Sequence, residues 1–347
     1  MRRGVVSGDV DMCDACAKAP RPPLPPPRNA RASVWIDFLE ALQAEAPPER
    51  GHVAPRSYVV TCPFMRYNRV RLLGEGRHGR VYLYAVDRPE AAAAADLPAE
   101  FCVKAVLTDP TAELAAVRRL RRDGWTRGVV PAAELHGSWE GAAFVGMQRW
   151  AGSLLRLVEG GTLEPDAAAD VAGQVARAVA ALWRQGLAYT DIKCANVVFR
   201  PGPAAFPRVA LADLGSAVDI STGQPGLFTY PPLRATFAEG ADEDGVAAPV
   251  EADMVWGVAL LLVCLLEGTG IANQAFSLPA LAAVSPLVRC SVGEGLLEAV
   301  AARLEAAGAP SSAQCAEVVR LGMRAWRGEA QKPGCLRRLC GLLSGGI

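Results

Sequence analysis

Tyr189-Thr-Asp191-Ile-Lys193-Cys-Ala-Asn196 is a short polar loop that sets a carboxylate, a cation two residues on and an amide five residues on beside one another. Val197-Val-Phe199 follows with the β-branched and aromatic character of a short strand. A polar loop before a strand is the plain alternative, so the surroundings matter. Downstream stands Ala212-Asp213-Leu-Gly215, after the apolar Val209-Ala-Leu-Ala. Upstream stand Phe101-Cys-Val-Lys104 and Gly74-Glu75-Gly76-Arg77-His78-Gly79-Arg-Val81. Each is weak alone; together, in this order, they are the parts of a phosphoryl-transfer site.

The glycines supply the phosphate end. Gly74, Gly76 and Gly79 have the GxGxxG spacing, and a loop without Cβ atoms lets backbone amides approach phosphate oxygens. The dinucleotide form of this motif needs a helix directly after the loop. Val81-Tyr-Leu-Tyr-Ala-Val86 is strand-like instead, and Val70, Leu72, Val81 and Leu83 alternate on either side of the glycines, which predicts a hairpin. Lys104 lies mid-strand among Phe101, Val103 and Val106, where a lysine without a partner is expensive. Glu113 is the only Glu in the helix predicted next, Thr111-Ala-Glu-Leu-Ala-Ala-Val-Arg-Arg-Leu120. An edge-strand lysine and a solvated helix-face carboxylate are the plain alternatives.

The four motifs resemble the protein-kinase signature set, over most of the chain from about residue 64. That resemblance implies an α+β, bilobal protein-kinase-like fold with a small β-rich N-lobe and a larger α-helical C-lobe. It also implies ATP and Mg2+. Asp191 would orient or accept the proton of the attacking hydroxyl, and Lys193 would neutralise charge on the transferred phosphoryl. Asn196 and Asp213 would hold the metal, while Lys104, held by Glu113, would meet the α- and β-phosphates. Gly74, Glu75, Gly76, Arg77, His78, Gly79 and Val81 would cover the nucleotide, with Met147 at the end of a strand beside the hinge. Asp253 resembles the buried Asp that anchors the catalytic loop from the long helix of the large lobe, although Gly257 comes one residue early.

Lys193 two after the base is the pattern of Ser/Thr kinases, whose substrates are protein hydroxyls. Small-molecule phosphotransferases usually keep a His before the base and lack this full glycine loop. The departures are specific. Tyr189-Thr190 stands where kinases carry His-Arg, so a phosphate on the activation segment has no obvious local partner. Pro231-Pro-Leu233 stands where Ala-Pro-Glu is usual, and Leu214 replaces Phe. With a composition rich in Ala, Arg, Pro and Gly, these features resemble the conserved protein kinases of herpesviruses, in particular the alphaherpesvirus tegument type. That implies a virion tegument protein acting in the host nucleus and cytoplasm on viral and host proteins. The rival from another class is a pseudokinase, a scaffolding module on an inactive kinase fold; Lys104, Asp191, Asn196 and Asp213 are all retained against it.

The 347 residues are organised accordingly. Residues 1–55 read as a proline-rich, disordered leader, with a short amphipathic helix over Ser33–Glu45 carried by Val34, Phe38, Leu39 and Leu42. Within it Pro23-Leu-Pro-Pro-Pro-Arg28 has the form of an SH3 ligand, with a plain spacer as the alternative. The kinase-like domain is expected over 64–345, divided into an N-lobe at 64–148, a hinge at 148–152 and a C-lobe at 153–345. The Ala91–Ala95 tract reads as a surface loop. Helices are expected at Pro165–Gln185, Asp253–Leu266, 278–289, 293–307 and 311–327. A formal net charge of zero argues against coating on nucleic acid or an anionic membrane. Ten cysteines without a signal-peptide pattern read as reduced thiols of an intracellular protein, and Cys13-Asp-Ala-Cys16 lacks a second metal-binding pair nearby. The longest apolar run, Met254–Leu266, is too short to span a bilayer.

Overall fold

The computed structural model describes residues 42–44, 57–61, 64–76, 79–107, 109–135, 143–202, 206–220, 243–268, 297–327 and 334–344. They form two compact units. The first takes in the described residues up to Trp125 together with Val130–Arg149, and the second takes in Thr126–Val129 and the described residues from Trp150 on.

The first unit is built on an antiparallel sheet of seven strands among the described residues. These are β1 (Leu42–Ala44), β2 (Ser57–Thr61), β3 (Phe64–Gly76), β4 (Gly79–Val86), β5 (Glu100–Val106), β6 (Ala132–Leu135) and β7 (Ala143–Gln148). They lie in the order β1-β2-β3-β4-β5-β7-β6. The predicted hairpin is β3–β4, closed by the Gly76–Gly79 pair. Register shifts between Arg69 and Arg71 and between Leu72 and Gly74 interrupt its alternation. Val70 and Leu72 are accordingly 55% and 45% exposed and face away from the core. β5 is central and buried continuously from Phe101 to Val106. Phe101 stacks on Tyr84 at 5.4 Å between ring centroids and meets Tyr67 edge-on at 5.0 Å. The Tyr67 hydroxyl donates to the Pro98 carbonyl at 2.6 Å, so this aromatic core leaves that polar tip satisfied.

Two sequence expectations are corrected in this unit. The Ala91–Ala95 tract is not a loop: α1 (Pro89–Ala94) is a helix started by Pro89 in its first turn. Alanine is the strongest helix former and proline is preorganised for the first position, so local propensity prevails over position between strands. Nor is Leu42–Ala44 helical, as Ser33–Glu45 was expected to be. It is β1, paired antiparallel with β2. An open sheet edge offers each of those residues backbone partners that a short isolated helix cannot match. The remainder of that expected helix, the rest of the leader and its SH3-like segment lie outside the described residues. α2 (Thr111–Asp123) then buries Leu114, Ala116, Val117 and Leu120, and with them Glu113.

The second unit is mainly helical, with α3 (Leu154–Glu159), α4 (Pro165–Arg184), α5 (Glu243–Glu267), α6 over 297–306, α7 (Pro310–Trp326) and α8 (Cys335–Ser344). Short strands β8 (Gly152–Ser153), β9 (Leu187–Tyr189), β10 (Val197–Arg200), β11 (Arg208–Leu211) and β12 (Ala217–Asp219) support the loops between them. α4 ends before Gly186, whose φ of +75° suits glycine. From Met254 to Leu266 α5 is apolar on every side, as expected of a helix inside a helical layer: Met254, Val255, Val258, Leu262 and Leu265 are fully buried. α7 packs against it so closely that a Cβ at Gly322 would stand 2.3 Å from that of Ala259. Glu251 of α5, itself buried, accepts the backbone N–H groups of Gly334 and Leu336 at 3.1 and 2.9 Å. A buried carboxylate thus satisfies amides at the start of α8, which a helix cannot satisfy by itself. The helix expected at 278–289 lies outside the described residues. None of the helices among the described residues is long and apolar enough to cross a membrane.

Candidate active site

In the first unit the predicted residues gather around β5. Lys104 is only 4% exposed and Glu113 3%. The Lys104 Nζ donates to Glu113 Oε2 at 2.7 Å. The sheet places the lysine at the centre of β5, and α2 brings its only glutamate onto it. Asp109 secures the start of α2 by accepting from the Thr111 N–H at 2.9 Å and from the Thr111 hydroxyl at 2.5 Å. Those bonds hold the Asp109 carboxyl below the usual carboxylate range.

Val81 pairs with Lys104 across the β4–β5 ladder, and Met147 pairs with Cys102 across β5–β7. The glycines differ in what their missing Cβ spares. At Gly79 it would meet the Ala105 carbonyl at 2.8 Å and the Lys104 Cε at 2.9 Å, whereas at Gly74 and Gly76 it would meet nothing within 4 Å. Gly79 is thus required by packing, while Gly74 and Gly76 keep a backbone edge open. Glu75 turns to Arg80, which donates to it at 2.9 Å across the exposed hairpin end. Arg77 and His78 lie outside the described residues.

In the second unit the catalytic-loop motif forms its own cluster. Asp191 Oδ2 accepts from Lys193 Nζ at 2.7 Å and from Asn196 Nδ2 at 2.8 Å, and the same amide donates to the Asp191 carbonyl at 3.1 Å. The offsets of two and five seen in the sequence are those that let one carboxylate be gripped from both sides. Asp213 sits at φ 60°, ψ 77°, in the left-handed region, and one carboxylate oxygen accepts the Gly215 N–H at 3.2 Å. A non-glycine residue there stores about 1–2 kcal/mol of strain, a feature concentrated at functional sites.

Three hydrogen bonds hold the chain leading into the Asp213 turn, two of them to the Tyr189–Asn196 stretch and one to Gly128 in a separate segment. The Ala212 N–H donates to the Asn196 carbonyl at 2.8 Å, the Leu211 N–H to the Gly128 carbonyl at 2.8 Å, and the Tyr189 hydroxyl to the Ala212 carbonyl at 2.7 Å. The last is a role that sequence reading missed. Tyr189 stood out only as a departure from His, yet its hydroxyl reaches the residue before Asp213. Thr190 carries a buried hydroxyl with no hydrogen-bond partner among the described residues, and Asp253 is half-buried on α5. Ser216, on the segment after Asp213, is 4% exposed, so its hydroxyl is closed to phosphorylation in this conformation.

Chemically, the first unit presents a paired cation and an open glycine edge, suited to polyphosphate. The second presents an oriented carboxylate with a cation on it, suited to guiding a hydroxyl. An amide oxygen and a carboxylate, from Asn196 and Asp213, are the hard donors that Mg2+ takes, so the residues fit the metal.

Residues 67–276 match the family model for the protein kinase domain. The chain is also similar to the proteins called "Serine/threonine-protein kinase PknJ" of Mycobacterium tuberculosis (strain ATCC 25618 / H37Rv) and Mycobacterium bovis (strain ATCC BAA-935 / AF2122/97). Each is 29% identical over 186 residues, which is 52% of this chain and 30% of the relative. The chain thus matches less than a third of the length of these curated relatives.

Proposed function

Because the chain belongs to the protein kinase family, we propose that it transfers the γ-phosphoryl group of ATP to serine and threonine hydroxyls of proteins. The observation that carries this reading is the Asp191 carboxylate held by Lys193 at 2.7 Å and Asn196 at 2.8 Å. Held so, Asp191 accepts the proton of a substrate hydroxyl as its oxygen bonds the γ-phosphorus and the bond to the β–γ bridging oxygen breaks, releasing ADP. Lys193 offsets negative charge on the moving phosphoryl group. Lys104, kept in place by Glu113, binds the α- and β-phosphates, and the open backbone edge at Gly74 and Gly76 admits them closely. Asn196 and Asp213 would hold Mg2+, which supplies neutralising charge on the phosphate oxygens when bound.

Incubation with radiolabelled ATP and a generic basic protein substrate tests the proposal. Label is expected on phosphoserine and phosphothreonine, with Asp191→Asn lowering the rate by about 10²–10⁴-fold, the range of a lost general base. A product dominated by phosphotyrosine or a phosphorylated small molecule refutes the substrate class. Label incorporation equal in Asp191→Asn refutes the role of Asp191. A finer reading is that the chain is a herpesvirus-type tegument kinase acting on viral and host proteins in the nucleus and cytoplasm. Tyr189-Thr190, the absent Ala-Pro-Glu and the composition support it. Detection of the protein in purified virions tests that reading, and its absence from them removes it.

A further inference from the structure

The β8–β10–β11 sheet of the second unit ends on two cations. Arg200, the last residue of β10, stands directly opposite Arg208, the first of β11. Residues so placed share one face of the sheet, with Cβ atoms about 4.5–5.5 Å apart, and like charges there destabilise the pairing. The connection Arg200-Pro-Gly-Pro-Ala-Ala-Phe-Pro-Arg208 contains no Asp or Glu. Among the described residues no carboxylate forms an ion pair with either arginine. Arg200 is half-buried and Arg208 is exposed. Both are nevertheless held in place. Gln174 of α4 grips the two neighbours of Arg208: its amide donates to the Pro207 carbonyl at 3.0 Å and its oxygen accepts the Val209 N–H at 3.0 Å, while Asp170 accepts from the same amide at 2.7 Å. A Cβ on Gly202 would stand 2.4 Å from the Phe206 carbonyl oxygen and 3.6 Å from Arg208 Cγ, so the hairpin end lies against the Arg208 stem. Arg200 Cζ lies 4.6 Å from the centre of the Trp150 ring. The Ala151 N–H donates to the Phe199 carbonyl at 2.9 Å and ties the chain beside that ring to β10. A guanidinium stacked on an aromatic face keeps its fork of N–H donors for an oxyanion.

We propose that Arg200 and Arg208 form a docking site for a phosphoserine-bearing segment of a partner protein. Charge selects this occupant. A phosphomonoester carries about −1.5 to −2 and offsets both guanidinium groups, whereas a single carboxylate would leave one of them unmatched. Its three oxygens can also accept from both forks at once. A nucleic-acid strand suits the site less well. Its affinity grows with the number of phosphates neutralised, and one arginine pair on a chain of zero formal net charge neutralises few. The site stands apart from the reacting groups, because the three steps along β10 from Val197 to Arg200 cover about 10 Å. Neither arginine has a part in the proposed phosphoryl transfer. A bound phosphate would turn the repulsion across the last rung of the hairpin into two attractions.

The full chain is titrated into a fluorescein-labelled peptide with one phosphoserine and no charged side chain, and anisotropy reads the binding. Matched peptides carry serine or glutamate at that position. The phosphoserine peptide is expected to bind at least about tenfold tighter than the serine peptide. Arg200→Gln and Arg208→Gln should each weaken it by about tenfold, the loss of one charge-assisted contact. Equal affinity for the phosphoserine and serine peptides, or for the parent and both variants, overturns the site. A glutamate peptide or a single-stranded oligonucleotide that binds as tightly as the phosphoserine peptide overturns the choice of occupant. Inorganic phosphate should displace the peptide only at far higher concentration; displacement at the peptide's own concentration overturns docking in favour of a free ion. Thermal melts test the plain alternative, in which the arginines serve the fold. Without peptide, Arg208→Gln should melt at or above the parent, because the like-charge rung is gone, and a lower melting temperature overturns the proposal. No ATP is present in these measurements, so they are decided independently of the phosphoryl-transfer assay.

Discussion

Lys104 and Glu113 show how much one buried pair ties together. Both side chains are almost wholly enclosed, at 5% and 4% exposure. Removing either partner leaves an uncompensated charge, which costs about 3–5 kcal/mol, whereas replacing both by apolar groups of similar volume is often neutral. Lys104→Met is therefore expected to lower the melting temperature as well as the transfer rate, and Lys104→Met/Glu113→Leu to recover the melting temperature without recovering the rate. Thermal melts beside a phosphoryl-transfer assay separate the two effects; a double variant that regains activity would show that Lys104 serves the fold alone. The glycines divide in the same way. Gly79→Ala drives a Cβ against the Ala105 carbonyl and Lys104, an overpacking of about 1–3 kcal/mol. Gly76→Ala meets no protein atom, so its stability should hold while its KM for ATP rises. Equal melting behaviour of the two variants would contradict that division. The pair itself was legible because α2 contains a single Glu. The hydroxyl bond from Tyr189 was not, because a departure from a pattern says what is missing and not what the replacement reaches.

Among elements, α5 does more than fill the second unit. Its Gly257 lets Ile192 of the catalytic loop lie directly on the helix. Gly257→Ala gains about 1 kcal/mol of helix propensity and meets Ile192 Cβ at 3.1 Å and Cδ1 at 3.2 Å. Those contacts are tight enough to push the loop. The two terms offset in stability but not in geometry. The expected outcome is a nearly unchanged melting temperature with kcat lower by about tenfold, or ~1.4 kcal/mol, and KM for ATP little altered. Steady-state kinetics check this, and an unchanged kcat would mean the loop is indifferent to α5. The long helices were legible because α4 and α5 are long and apolar enough for their pattern to dominate. β1 and α1 were not. A three-residue edge strand has too little sequence to show a period, and an alanine tract between strands shows its helix only through propensity.

At the scale of the whole molecule, the question is whether activity needs a phosphate on the segment after Asp213. In many kinases an Arg before the catalytic Asp pairs with such a phosphate. Thr190 occupies that position here, and a neutral hydroxyl cannot make a charge-assisted pair. Its oxygen is buried without a hydrogen-bond partner among the described residues. The Asp213 turn is held without phosphate by Tyr189, Asn196 and Gly128 through bonds of 2.7–2.8 Å. Ser216 is buried, so phosphate cannot be added there without opening that turn. Ser221, Thr222 and Thr229 lie outside the described residues and are the remaining acceptors to test. Replacing Ser221 and Thr222 by Ala, or treating the protein with phosphatase, should leave the transfer rate within about threefold, less than ~1 kcal/mol. A hundredfold loss would correspond to about 2.7 kcal/mol of transition-state stabilisation. A loss of that size would mean that an added phosphate, through a basic partner elsewhere in the chain, supplies what Thr190 cannot.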